Sequence, residues 1–136
     1  MSSYLYDDMQ LNEVVLKQLR SRRPFSCGVL VDKQAYDAKH SRYERVRLQG
    51  LKDLGATIYL CKGFSGVQEF GPHALPCIFH IKALVLDGRV AYYGSANLTR
   101  SSRKNKELVT RVVGAPAIEI YRGLVTEMAA QTAVRL

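Results

Sequence analysis

The sequence has no tryptophan, only three histidines and four prolines, and no apolar run of the about 18 residues that a membrane-spanning helix needs. Nothing in it is therefore expected to cross a bilayer as a helix. The first ten residues, MSSYLYDDMQ, lack both the basic segment and the apolar core of a secretory signal. Cys27, Cys61 and Cys77 are odd in number and widely spaced. They form no CxxC pair and no disulfide framework, which suits a reducing compartment. These absences together point to an intracellular protein, cytoplasmic or mitochondrial. His73 and Cys77 are metal-ligand types close in sequence, but they bring no further pair to complete a zinc set, so no metal site is expected.

What the chain does have is positive charge. Twenty Lys and Arg against twelve Asp and Glu give a net charge of +8 and a pI near 9.6. That balance favours an anionic partner, whether nucleic acid, acidic lipid headgroups or another phosphate ester. Length and an ordinary apolar fraction predict one globular domain over residues 1–136. No internal repeat is present.

Read in order, residues 2–6 suggest the tail of a strand, and Asp7-Asp8 open a helix. Met9, Leu11, Val14, Val15, Leu16 and Leu19 supply its apolar stripe, and Arg22-Arg23-Pro24 breaks it. Phe25 to Val31 reads as a buried strand ending at Asp32, which is expected to act as a turn or cap. Residues 33–43, with His40, read as a polar loop. Arg45 to Leu54 is a predicted helix with Val46, Leu48, Leu51 and Leu54 inward and Gly55 at its end, followed by a strand over Ala56 to Leu60. The stretch 62–76 is rich in Gly and Pro and reads as a long functional loop, in which Phe64 and Phe70 are candidates to contact a base or an acyl chain. Glu107 to Val113 is a predicted strand, and Pro116 to Val134 a closing helix supported by Ile118, Ile120, Tyr121, Leu124, Val125 and Met128.

The chemistry concentrates in HIKALVLDGRVAYYGSAN, His80 to Asn97. Alternation from Phe79 to Val85 predicts a strand with His80 and Lys82 on one face. Asp87-Gly88 signals a hairpin turn, and Val90 to Tyr93 a return strand. The turn Gly94-Ser95-Ala96-Asn97 then comes back beside the imidazole and the ammonium. A nucleophile, a cation and an amide donor gathered in this way suit a phosphodiester. Arg100, Arg103, Lys104 and Lys106 follow with no acid between them, and of these Arg103 and Lys104 are the candidates to bind substrate.

The spacing His-x-Lys-x4-Asp-x6-Gly-Ser-x-Asn resembles the HKD motif of the phospholipase D superfamily, and Asn105-Lys106-Glu107 resembles the Asn-x-Glu that often follows it. Single-motif chains of this size are similar to bacterial nuclease-type members and to the mitochondrial cardiolipin hydrolase (Zucchini) branch. The resemblance implies an α/β fold, a mixed β-sheet flanked by helices, here short of the strand and helix that usually open the domain. An absent first strand would leave a sheet edge open. It implies a phosphodiesterase in which His80 is the covalent nucleophile, Lys82 and Asn97 hold the phosphoryl oxygens, Glu107 orients His80, and Ser95 adds a hydrogen bond. Asp87 has a sufficient job in its turn. No cofactor or metal is implied. Because one histidine cannot serve as both nucleophile and acid, the resemblance implies a homodimer with the site across its two-fold axis. Nucleic acid is the first expected substrate and an anionic phospholipid such as cardiolipin the second, the latter with peripheral membrane contact. The competing readings are a phosphate-binding fragment without turnover, or the C-terminal half of a longer two-motif enzyme.

Overall fold

The computed structural model of the chain describes residues 1–3, 6–21, 24–39, 41–62, 79–130 and 133–135. In chain order Ser2–Ser3 forms β1, Met9–Leu19 α1, Gly28–Asp32 β2, Lys33–Asp37 α2, Arg42–Asp53 α3 and Thr57–Cys61 β3. Ala83–Leu86 forms β4, Val90–Gly94 β5, Val109–Val113 β6, Ala115–Ala129 α4 and Ala133–Arg135 β7. All seven strands join one sheet in the order β6-β5-β4-β1-β2-β3-β7. The predicted α/β class, a mixed sheet flanked by helices, is the fold observed.

Two kinds of sheet meet at β1. On one side β1, β2 and β3 run parallel, linked by α1 and by the segment carrying α3. Right-handed crossovers between consecutive parallel neighbours put both helices on the same face. There Val29, Val31, Ile58 and Leu60 pack with Val15 of α1 and Leu48 and Leu51 of α3. On the other side β4, β5 and β6 form an antiparallel meander, with β4 also antiparallel to β1. The opposite face takes α4, whose Met128 packs on the cluster of Leu30, Cys61 and Phe79. Helix α4 leaves one sheet edge at β6 and delivers the chain to the other at β7. Its 15 residues span about 22 Å, most of the roughly 29 Å across six strand gaps.

Local chemistry explains the boundaries. Asp8 caps α1 by accepting from Leu11 N–H at 2.9 Å. Gly55, at φ +96°, takes the left-handed conformation that ends α3. Asp87 (φ 53°) and Gly88 (φ 63°) both lie in that region, which makes the β4–β5 loop a type I′ hairpin turn.

Several predicted features differ. Residues 33–43 are not all loop, because Asp32 caps a short α2. The first strand of the hairpin starts at Ala83, not Phe79. Phe25 lies outside β2 and is exposed. The final helix stops at Ala129, and β7 pairs antiparallel with β3, a partnership that a three-residue strand cannot advertise by periodicity. Met9, Val14, Val46, Ile118, Tyr121 and Val125 are exposed rather than inward. With helices on a single layer per face, each buries a narrow stripe and leaves the flanking apolar positions out. Ser2–Ser3 sits mid-sheet, and the edges among the described strands are β6 and β7. Arg22, Arg23, His40 and residues 63–78, which include Phe64, Phe70, His73 and Cys77, lie outside the described residues.

Helix α3 also carries a buried acid that the apolar pattern does not announce. Glu44 is 4% exposed and accepts from Tyr6 N–H at 2.7 Å. Burial pushes its carboxyl up from 4.5 to about 7, against the pull of that N–H. The native chain therefore takes up a proton between those values that the unfolded chain does not, and stability falls as pH rises through that window. Urea unfolding at pH 5 and pH 8 should show the wild type losing on the order of 2 kcal/mol more than Glu44→Gln. Equal losses in the two proteins would rule out Glu44 as the source.

Candidate functional site

The site lies at the carboxyl ends of the parallel strands, where open α/β sheets place their binding loops. Three local devices bring the motif residues there.

The first acts on the approach to β4. Asp32, 2% exposed, uses one carboxylate oxygen to cap α2 through Ala35 N–H and the other to accept from Phe79 N–H, each at 2.7 Å. It thereby fixes the backbone next to His80. The expected capping role is correct, but the bond to Phe79 joins residues 47 apart in sequence and has no local signature.

The second device is β1. Ser2 Oγ donates to Ile81 O at 2.9 Å, between His80 and Lys82. Ser3 Oγ accepts from Leu98 N–H at 3.0 Å and donates to Asn97 Oδ1 at 3.5 Å. Adjacent residues of one short strand thus hold both segments of the motif. Sequence reasoning passed over both serines; two small hydroxyl residues at the head of the predicted strand 2–6 were the available signal. Leu98 is further tied to the start of α1, its carbonyl accepting from Asp7 and Asp8 N–H.

The third is the turn after β5. A Cβ on Gly94 would lie 1.9 Å from Leu108 O, so only glycine lets these backbones pass. Ser95 N–H donates to Leu108 O at 3.0 Å, and Ser95 Oγ accepts from Leu108 N–H at 3.0 Å. The same hydroxyl donates to Glu107 Oε2 at 2.5 Å. Asn105 Nδ2 donates to the other oxygen of Glu107 at 3.4 Å.

The motif side chains differ sharply in environment. His80 is exposed. Lys82 is 9% exposed, and its Nζ donates to His80 O at 3.1 Å, which leaves two of its three N–H donors for a ligand. Burial lowers the Lys82 pKa from the ordinary 10.5, opposed by the nearby charge of Glu107. His80 and Lys82 line one groove, with Ile81, Tyr93 and part of α4. Asn97 is half-buried.

The basic loop divides. Arg103 pairs bidentately with Asp8 and also reaches Gln10, so it braces the cap of α1. Its guanidinium holds the Asp8 carboxyl below the ordinary carboxylate range. Arg100, Lys104 and Lys106 have no carboxylate partner among the described residues. Among the described residues no cluster of three or more metal-ligating side chains occurs, and no helix is long and apolar enough to cross a membrane.

Replacing Asp32 by Ala strands two buried backbone donors and should cost about 2–4 kcal/mol in urea unfolding. A loss below half a kilocalorie would mean that the approach to His80 is held by something else.

Comparisons with known proteins agree with this architecture. A family model described as "Cardiolipin synthase, PLD-like domain" matches residues 1–129. The crystal structure of Nuc from Salmonella typhimurium, a phospholipase D family member, superposes with a TM-score of 0.77 at 14% identity, covering 100% of this chain and 79% of that one. NucT from Helicobacter pylori superposes with a TM-score of 0.73 at 13% identity, covering 99% of this chain and 79% of that one. No curated protein sequence matches the chain.

Proposed function

Taking as premise that the chain belongs to the family of phospholipase D-like domains, we propose that it hydrolyses phosphodiester bonds through a phosphohistidine intermediate, with nucleic acid as the leading substrate. The observation that carries this reading is the convergence on β1. Ser2 holds the His80–Lys82 segment and Ser3 holds Asn97, so the nucleophile, cation and amide gather at one end of the central strands.

In the first step a ring nitrogen of His80 attacks phosphorus. An N–P bond forms, the P–O bond to the leaving group breaks, and the leaving oxygen takes a proton from a general acid. In the second, water attacks the phosphorus and gives a proton to the group that served as the acid, now a base, the N–P bond breaks to restore the imidazole, and a phosphate monoester departs. Lys82 and Asn97 stabilise the charge that builds on the non-bridging oxygens. Burial strengthens what Lys82 can do there, because the same charge is worth more at lower dielectric. Glu107 and Ser95 hold the turn that presents Asn97, and Glu107 orients His80. Lys104 meets the flanking phosphates of a polyanion.

The general acid is supplied by the same imidazole of a second copy, in a homodimer with its site across the two-fold axis. An anionic phospholipid such as cardiolipin, met at a membrane surface, is the second substrate reading, and it draws on the same cations.

Light scattering should give a dimer, and bis(p-nitrophenyl) phosphate should be hydrolysed with EDTA present. His80→Ala should lower that turnover by about 10³-fold or more. A folded monomer without turnover would overturn the enzyme and leave a phosphate-binding module. Binding to oligonucleotides should weaken steeply with salt, and tighter, salt-insensitive binding to anionic vesicles would reverse the order of substrates.

The lowered Lys82 pKa gives a separate expectation. Because the cation is lost sooner on raising pH, the alkaline limb of kcat/KM should fall below pH 10.5, and Lys82→Arg should move it upward. A limb unmoved by the substitution would assign it to another group.

A further inference from the structure

One face of the antiparallel half of the sheet is left open among the described residues. Ser2 pairs with both Leu30 and Ala83, which places Ala83 on the side of Leu30, against α4. Leu84 and Leu86 flank that alternation and point the other way, to the face that α1 and α3 cover over β2 and β3. Register carries this face across the hairpin in two rows, Leu84–Tyr92–Arg111 and Leu86–Val90–Val113. Helix α1 reaches only its margin, where Leu11, Val14 and Gln18 stand across a groove of about 430 Å³ from Leu84 and Leu86. Leu86 is left 48% exposed, Val113 54% and Val14 58%.

We propose that this face is a docking site for an amphipathic helix of another polypeptide, laid beside α1 with its apolar side on the two rows and a carboxylate at Arg111. Width, depth and charge select that occupant. From β4 to β6 the strand centres span about 10 Å, the diameter of a single helix. Helix α1 stands beside them as a wall about 10 Å high, which keeps the flat sheet of a second copy, or the plane of a bilayer, from the floor. The groove along that wall is apolar on both sides, as it is wherever neighbouring helices pack on one sheet. Arg111 is the one charged residue in β4, β5 and β6. It is exposed and has no carboxylate partner among the described residues, while Asp87 lies at the turn end of the groove. A helix without acids would cover Arg111 and leave it uncompensated, whereas an acidic flank pairs it. Docking is a binding property and needs no turnover at His80.

The test titrates the full chain with two fluorescein-labelled model peptides of about 18 residues, long enough to form a helix. Both carry leucines at i, i+3, i+4 and i+7, one flanked by glutamates and the other by lysines. By anisotropy at physiological salt, the glutamate peptide should bind about 10-fold or more tighter. Arg111→Glu should bring that ratio to one or below. Lys52→Glu, the same charge change on α3, should leave it largely in place. Val113→Asp, at a position exposed in the free protein, should weaken the glutamate peptide by about 10-fold. Methyl NMR should show shifts at Leu84, Leu86 and Val113 and none at Val125 of α4. No saturable binding of the glutamate peptide would overturn the docking site. So would equal responses to Arg111→Glu and Lys52→Glu, which reveal only bulk attraction to a basic protein. Self-association lost in Val113→Asp would give the face to a second copy, and binding to phosphatidylcholine–phosphatidylglycerol vesicles lost in that variant would give it to a bilayer; either result overturns the helix. If bis(p-nitrophenyl) phosphate is hydrolysed while neither peptide binds, the docking site fails and the phosphodiesterase stands.

Discussion

The hydroxyls of Ser2 and Ser3 are the contacts on which the rest of this structure depends. They lie at the seam between a parallel βαβ half and an antiparallel hairpin half, and both are almost wholly buried. A buried hydroxyl without a partner is costly, so each must find one, and the partners found are backbone and side-chain groups of the two motif segments. The energetic demand of the core and the placement of the site are therefore met by the same bonds. Ser2 and Ser3 are 0% and 1% exposed, so a larger side chain at either position would have to displace its neighbours and would lose these bonds.

Around that seam, polar groups hold loops where apolar packing cannot reach. Asp32 binds the backbone before His80, Glu44 binds the backbone of Tyr6, and Asp8 caps α1 while holding Arg103. All three are carboxylates in a chain of high positive charge, and all three serve backbone amides near the carboxyl end of the sheet. Acidic side chains spent in this way leave much of the basic surface without internal partners. That surplus is what a phosphate-rich ligand would meet.

Arg103 and Lys104, neighbours in the basic loop, differ in their surroundings. Arg103 is bound into a bidentate pair that stiffens the start of α1, while Lys104 is exposed to solvent. Sequence adjacency put them in one cluster. The 3-10 turn at Ser102–Lys104 points consecutive residues in different directions and so divides the work. Likewise, Ser95 and Glu107 bond to each other, which gives the turn its rigidity as well as its polarity.

How much could be read without coordinates follows from the range of each interaction. The hairpin turn at Asp87-Gly88, the cap at Asp8, the glycine ending α3 and the spacing from His80 to Asn97 are local, and each is legible because its signal lies within a few residues of its effect. The α/β class follows from apolar runs alternating with amphipathic ones. The central place of β1, the pairing of β7 with β3, the bond from Asp32 to Phe79 and the burial of Glu44 are not legible in the same way. Each joins residues tens of positions apart, through side chains whose local surroundings look like ordinary surface or loop. The sequence by itself determined which chemical groups are present and in what local order. The tertiary structure alone decided which of them face each other, because a sheet brings distant strands within about 5 Å and burial then obliges their polar atoms to pair.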